Sequence, residues 1–432
     1  MPVQLNERDQ DMLKGRHGAA TRLAMSILVR MAEVYGADEM MDITQVHIDG
    51  VGLLSEAGLE FSETLVALGG KVVVPTTLNM VPLDALHWRE QGVPAEIAAK
   101  AQRQIAAYVK MGCIPTCTCA PYQGYLTPRF GQQIAWAESN AIVYANSVLG
   151  ARTNRYGDYI DICAALTGRV PKQGLHLTTN RKGQLLFRLV DIDPAILRQD
   201  AFYPVLGSLV GKASEDKIPV IEGLPPDTTT DQLKALGAAS ASSGAVALFH
   251  AVGVTPEAPT LEEALQGGSP EKVIEVRVSD LMQALAALSM AEDGAKLDAV
   301  LLGCPHSSFL ELQRLAQLVE GQRGRTVHPS VGFFVLTEQL AHSLAERAGL
   351  LDTLTRFGVS IVLDTCPFHS PFLPADARVI MTNSGKHAYY APGELGVKVV
   401  FGSMADCVRS AVQGSVVRED VRWTELRKAG AL

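Results

Sequence analysis

Apolar, β-branched runs alternate along the chain with stretches of helical periodicity, the pattern of an α/β protein with mostly parallel sheets. GAATRLAMSILVRMAEVYGA (18–37) sets apolar residues at helical spacing with glycine near its end and predicts a helix. ITQVHIDGVG (43–52) predicts a strand running into a glycine-containing turn. KVVVPTTLN (71–79) predicts a second strand, ended by Pro75 and a polar cluster. PAEIAAKAQRQIAAYVKMG (94–112) reads as a helix, followed by the loop CIPTCTCAPYQGYLTPRFG (113–131). WAESNAIVYANSVLGARTNR (136–155) predicts a loop feeding a helix and then a polar turn. From Asp298 onward the alternation is clearest: AVLLG, helix FLELQRLAQLVEG, VGFFVL, helix EQLAHSLAERAG, VSIVLD, RVIMTN, VKVVFG and helix ADCVRSAVQG.

Composition shifts in the middle, where small α/β elements sit between proline-rich connections around Pro225 and Pro256. This divides the chain into an N-terminal α/β part (1–205) with the Cys119 loop, a small middle domain (206–290) and a C-terminal α/β domain (291–432) carrying Cys304 and Cys366. A chain of 432 residues buries ample core for such a division. The net charge of −8, with no basic block to offset it, argues against nucleic acid or an anionic membrane as partner. No apolar run is long enough to span a bilayer. The charged opening carries no secretion signal, so the cytoplasm is the expected address and the seven cysteines are expected to be reduced thiols.

Those thiols carry the chemistry. LLGCPHSSF (301–309) and IVLDTCPFHS (361–370) each end an apolar run at a Cys-Pro pair with a histidine close behind. Ligands of open parallel sheets bind at the carboxyl ends of strands, and proline biases the preceding cysteine toward an extended backbone, so each sulfur can project into a crevice. Asn383 to Lys386 (NSGK) follows a third strand. Cys113, Cys117 and Cys119 crowd one loop; their CxxxCxC spacing misses a radical-SAM loop by one residue and lacks the second CxxC of a zinc ribbon. Cys119, again followed closely by proline, is the best third partner. Three separated thiols would hold an iron–sulfur cluster with one iron lacking a protein thiolate, a Lewis acid for a departing hydroxyl. Cys163 and Cys407 lie in helical patterns and read as buried thiols; His306 and His369 read as hydrogen-bonded loop residues. No GxxxxGK[ST], GxGxxG, GxSxG or HExxH is present.

TCTCAPY, ESNAIVYANSVLGARTNR, GCPHSS, LDTCP and NSGKHAYYAPG, with PTTLN and HIDGVG upstream, together resemble the large subunit of the aconitase X family, from the LNERDQDMLKGRHG opening to ADCVRSAV. The resemblance implies an aconitase-superfamily-like fold of three α/β domains around a central cleft. It implies hydro-lyase activity on cis-3-hydroxy-L-proline, giving Δ1-pyrroline-2-carboxylate, or, in the alternative, on mevalonate 5-phosphate. The long opening and the lack of a strong phosphate cradle favour hydroxyproline. It implies further that Cys119, Cys304 and Cys366 hold the cluster, whether 2Fe–2S, 3Fe–4S or 4Fe–4S. The small swivelling domain, source of the catalytic serine, is expected on a separate subunit, since the chain stops at KAGAL.

For the substrate, the polar groups at strand ends are the candidates: Gly50, Thr76, Thr77, Asn79, Ser139, Asn140, Arg152, Thr153 and Ser384. Arg152 is the first choice for a carboxylate, because a guanidinium binds it bidentately, and Lys386 the second. Glu138 or His306 would relay the hydroxyl proton. A reading from another class is a non-catalytic scaffold with zinc on the same cysteines.

Overall fold

In the computed structural model, which describes residues 3–52 and 55–423, helix Ala19–Tyr35 buries Ala20, Ala24, Met25, Leu28 and Ala32 along one face and stops at Gly36 in the left-handed conformation. It belongs to the first of two compact units, Met1–Lys182 together with Asp364–Ser370. Five strands follow in this unit: β1 (Met40–Asp42), β2 (Val46–Ile48), β3 (Thr76–Leu78), β4 (Ala135–Trp136) and β5 (Arg169–Pro171). β2 is central, parallel to β3 on one side and β4 on the other, while β1 and β5 pair antiparallel. The opening helix Glu7–Leu13 is locked to β5 by Asp9, whose two carboxylate oxygens accept from Arg169 at 2.8 and 3.0 Å, both residues buried.

KVVVP is not the strand that the sequence suggests. The ladder starts at Pro75, whose carbonyl accepts from Val46 N, and β3 proper follows the proline. The N–H groups of Val72 and Val73 go instead to Met111 O and Ala165 O, each at 2.9 Å, so these valines brace two helix ends and pair with no strand.

The second unit spans Gly183–Leu363 and Pro371–Leu432. Its first sheet holds β6 (Leu185–Leu189), β7 (Pro219–Glu222), β8 (His250–Ala251) and β9 (Lys272–Val276) in the order β8-β7-β6-β9, all parallel. Helices Phe202–Ser214 and Thr230–Ser243 cross here at Gly207 and Gly211. A Cβ at either glycine would come within 2.3 Å of Leu236 O or Ser243 Oγ, so only glycine permits the approach.

The second sheet holds β10 (Ala299–Leu302), β11 (Gly332–Thr337), β12 (Val359–Leu363), β13 (Val379–Thr382) and β14 (Lys398–Phe401), in the order β12-β11-β10-β13-β14, again all parallel. Helices Phe309–Glu320 and Met404–Gln413 open on capping boxes, Ser308 with Glu311 and Ser403 with Asp406. Strand order reverses between β10 and β13, the place where doubly wound sheets form a ligand crevice. Cys304 leaves β10 and Ser384 leaves β13 at that switch. No helix among the described residues is long and apolar enough to cross a membrane. The C-terminal KAGAL lies outside the described residues.

Candidate active site

In the first unit, the loop 113–119 runs beside β3. Leu78 N donates to Ile114 O, and Thr118 N donates back to Leu78 O, both at 3.2 Å. Cys119 is tied onward to β4: its carbonyl accepts from Asn140 Nδ2 at 2.9 Å, and the same amide donates to Glu138 Oε1 at 2.8 Å. On the other flank, Val81 forms a parallel bridge with Thr365, which brings Cys366 from the end of β12 onto this unit. Cys119 and Cys366 therefore border the same short segment, 76–81.

The seven thiols fall into two classes. Cys113, Cys117, Cys163 and Cys407 are buried, whereas Cys119, Cys304 and Cys366 are partly exposed. Burial pushes the thiols of Cys113 and Cys117 up to about 12, with Asp161 and Asp364 respectively adding to the effect. It also raises those of Cys163 and Cys407. A thiol so raised is a poor metal ligand, because the thiolate is the binding form. The accessible donors fit an iron–sulfur cluster in chemistry: three cysteines, each at a turn. Two stand on the first unit and one on the second. Among the described residues, no group of three or more His, Cys, Asp and Glu side chains is gathered so that it could hold a metal ion.

The carboxyl ends of β2, β3 and β4 hold a connected polar set. Asn79 donates through Nδ2 to Asp49 and, at 3.3 Å, to Glu138. Glu138 caps helix Ser139–Ser147 by accepting from Asn140 N at 3.2 Å, and Ser139 Oγ donates to it at 3.2 Å. Asp161 accepts from Asp49 N at 2.7 Å. Burial pushes the Asp161 carboxyl up to about 7. Asp49 is raised well above the usual carboxylate range by burial and then by the charges of Glu138, Asp158 and Asp161. Asp158 is raised by burial and by Glu138. His47, beneath them on β2, is held neutral by burial, lowered to about 3, with Nδ1 2.9 Å from Thr77 Oγ1.

Several of the expected substrate contacts prove to be committed inside the unit. Thr76 Oγ1 donates to Val74 O at 2.8 Å, and Thr77 is spent on His47. Thr153 is fully buried, accepting from Trp136 N at 3.1 Å and donating to Asn154 O. Arg152 turns Nη1 to Thr178 Oγ1 at 2.7 Å and to His176 O at 3.3 Å. Gly50 uses its carbonyl to accept from Gln104. Asn79, Ser139, Asn140 and Glu138 are brought together. Asp49, Asp158 and Asp161 were missed; the signal was an aspartate directly at the end of β2 and an Asp-x-x-Asp pair at a helix start.

In the second unit, Gly303 delivers Cys304. Its φ is +90°, and a Cβ there would lie 2.0 Å from Leu336 O. Ser384 caps helix Gly385–Leu395, accepting from His387 N at 3.0 Å, and its hydroxyl donates to Cys304 O. Cys304, Asn383 and Ser384 line one crevice with Lys234 and Glu311. His306 is buried; its carbonyl accepts from Lys234 Nζ at 3.3 Å. Lys234 is itself buried; burial works against its charge, but Glu311, 2.5 Å away, and Asp231 more than offset it and keep the ammonium protonated. Lys386 is half-buried at the second residue of helix Gly385–Leu395.

Residues 2–179, 183–286 and 297–413 match the models for the first, second and third domains of aconitase X. The chain is 46% identical to a cis-3-hydroxy-L-proline dehydratase of Hypocrea jecorina, over 96% of this chain and 69% of that one. It is 37% identical to the phosphomevalonate dehydratase large subunit of Methanothermobacter thermautotrophicus, over 94% of this chain and 98% of that one. The crystal structure of Thermococcus kodakaraensis aconitase X in its holo-form superposes with a TM-score of 0.85 at 34% identity, covering 95% of this chain and 100% of that one.

Proposed function

The chain belongs to the aconitase X family, and from that membership we propose that it is the large subunit of a hydro-lyase that converts cis-3-hydroxy-L-proline to Δ1-pyrroline-2-carboxylate. The observation that carries this reading is the 46% identity over nearly the whole chain to a protein named for that reaction, against 37% to one named for phosphomevalonate. A small partner subunit belongs to the proposal, since the archaeal relative is named a large subunit; that partner would carry the serine that removes the proton at carbon 2. The phosphomevalonate reaction is the lesser reading.

Cys119, Cys304 and Cys366, the three accessible thiols, would hold an iron–sulfur cluster. When bound, such a cluster supplies a Lewis acid that makes the 3-hydroxyl a better leaving group. Apart from the partner's serine, the chain's own residues do the rest. Glu138, oriented by Asn79, Ser139 and Asn140, gives a proton to the departing hydroxyl, which leaves as water. Loss of the carbon-2 proton then leaves an enamine, which tautomerises to the cyclic imine. Ser384 and Lys386, at the start of a helix, offer an N–H cluster and a cation to the substrate carboxylate.

Product analysis decides the matter. The two-chain enzyme, purified without oxygen, is given each substrate in turn; pyrroline carboxylate from the first and no product from the second is the expected result. Turnover of mevalonate 5-phosphate alone would reverse the assignment. A colourless protein containing zinc and no iron would point to a scaffold instead.

A further inference from the structure

Four carboxyl groups act on one another at the ends of β2 and β4, those of Asp49, Glu138, Asp158 and Asp161. No cation is among the groups acting on Asp49, where the Asn79 amide favours the ionised form; on Asp158 the charge of His369 does so. Asp49 and Asp158 are both half-buried and bonded to each other. Two carboxyl groups in such contact share a proton, because like charges at that range cannot both ionise. A second observation points into the same place. The Tyr108 hydroxyl is fully buried and has no hydrogen-bond partner among the described residues. It faces Gly50, where an added Cβ would sit 3.4 Å from that hydroxyl and 3.6 Å from Asp158 Cβ. The missing Cβ at Gly50 leaves room for a methyl-sized group between them.

We propose that Asp49 and Asp158, with the Tyr108 hydroxyl beside them, receive the ring ammonium of the substrate, so that the first unit selects a cyclic amino acid over a hydroxy acid without nitrogen. The inference rests on the dehydratase reading above and deepens it. A secondary ammonium carries two N–H donors, one for each carboxylate, and it replaces the proton the pair would otherwise share. A phosphorylated hydroxy acid, anionic throughout, is repelled by the same groups. The pocket is joined to the reacting end by a chain of hydrogen bonds: Asn79 links Asp49 to Glu138, and Asn140 links Glu138 to the carbonyl of Cys119. Ring nitrogen and the hydroxyl-bearing carbon 3 flank carbon 2 of a small ring, which suits so short a chain.

The test is calorimetric binding of L-proline and of cyclopentanecarboxylate, the same ring without the nitrogen, to the assembled enzyme with its cluster. The wild type is expected to bind L-proline at least about tenfold more tightly. Asp158→Asn should bring the two within about twofold, and Tyr108→Phe, which removes one atom, should reduce the preference by about two- to fivefold. Equal affinities in the wild type overturn the proposal, as does an undiminished preference in a folded Asp158→Asn protein. If Asp158→Asn does not fold, an undiminished preference in Tyr108→Phe overturns it instead. Should the wild type prefer L-proline yet not dehydrate cis-3-hydroxy-L-proline, the dehydratase reading fails and the amine pocket stands. Turnover without that preference removes the amine pocket and leaves the dehydratase standing.

Discussion

Val81 and Thr365 stand side by side as parallel partners, and the Val81 N–H donates to the Asp364 carbonyl at 2.8 Å. This bond is what carries the segment after β12 onto the first unit, with Cys366 one residue beyond the bridge. Val81→Pro removes the donor while keeping all seven cysteines. Losing such a buried bond costs about 1–3 kcal/mol. Iron retained per chain after desalting should fall by about tenfold relative to the wild type. Full retention would mean that Cys366 is positioned by other contacts.

The division of the thiols by exposure predicts which of them matter. Cys119→Ser, Cys304→Ser and Cys366→Ser should each abolish the brown colour and turnover. Cys117→Ser, two residues from Cys119, should keep both, because its thiol is buried with a raised pKa. A hydroxyl in that buried place costs about 1–3 kcal/mol of stability, which thermal denaturation reads separately. Colour lost in Cys117→Ser, or kept in Cys304→Ser, would rule out the ligand set.

Glu138, the proposed proton donor, is held by Asn79, Ser139 and Asn140 together. Glu138→Gln keeps its shape and removes its proton transfer. kcat should drop by about 10²- to 10⁴-fold with KM little changed. A loss confined to KM would make Glu138 a binding group and move the proton relay elsewhere.

How far the sequence reaches depends on what each residue had to reveal. β10 to β14 and their helices were legible because each apolar run is short and ends at a polar turn, and all but β12 precede a capped helix. The Cys-Pro pairs were legible for the same reason, each following the end of a strand, β10 or β12. KVVVP misled because three β-branched residues read as a strand, while their N–H groups had helix carbonyls to satisfy. Thr153 misled because a polar turn looks solvated until its hydroxyl is found bonded to Trp136 N in the core. The group of Asp49, Asp158 and Asp161 left only a faint signal, because an aspartate after a strand and an Asp-x-x-Asp pair are also the ordinary composition of a turn. Only burial, which no local pattern encodes, raises their carboxyls together above the ordinary range.

His176 gives the chain a pH dependence of known sign. Gln133 Oε1 lies 2.6 Å from Nδ1 and can only accept, so Nδ1 carries the hydrogen; Nε2, 2.5 Å from the Tyr156 hydroxyl, then accepts. Burial, helped by the charges of Arg181 and Arg152, lowers the imidazole to about 3 from its ordinary 6.5. Between those two values the unfolded chain takes up a proton that the folded chain refuses. The contribution to stability is therefore complete above pH 6.5 and is lost as pH falls toward 3, at about 1.4 kcal/mol per pH unit. His47 and His387, lowered equally by burial, act in the same direction. Asp161, raised to about 7, opposes them as pH falls from 7 to its ordinary 3.8. In His176→Gln, urea denaturation of the full chain at a series of pH values should show a loss of about 1–3 kcal/mol at neutral pH. The fall in stability below pH 6.5 should also be shallower than in the wild type by about one proton. An unchanged slope would mean that His176 already titrates in the folded protein.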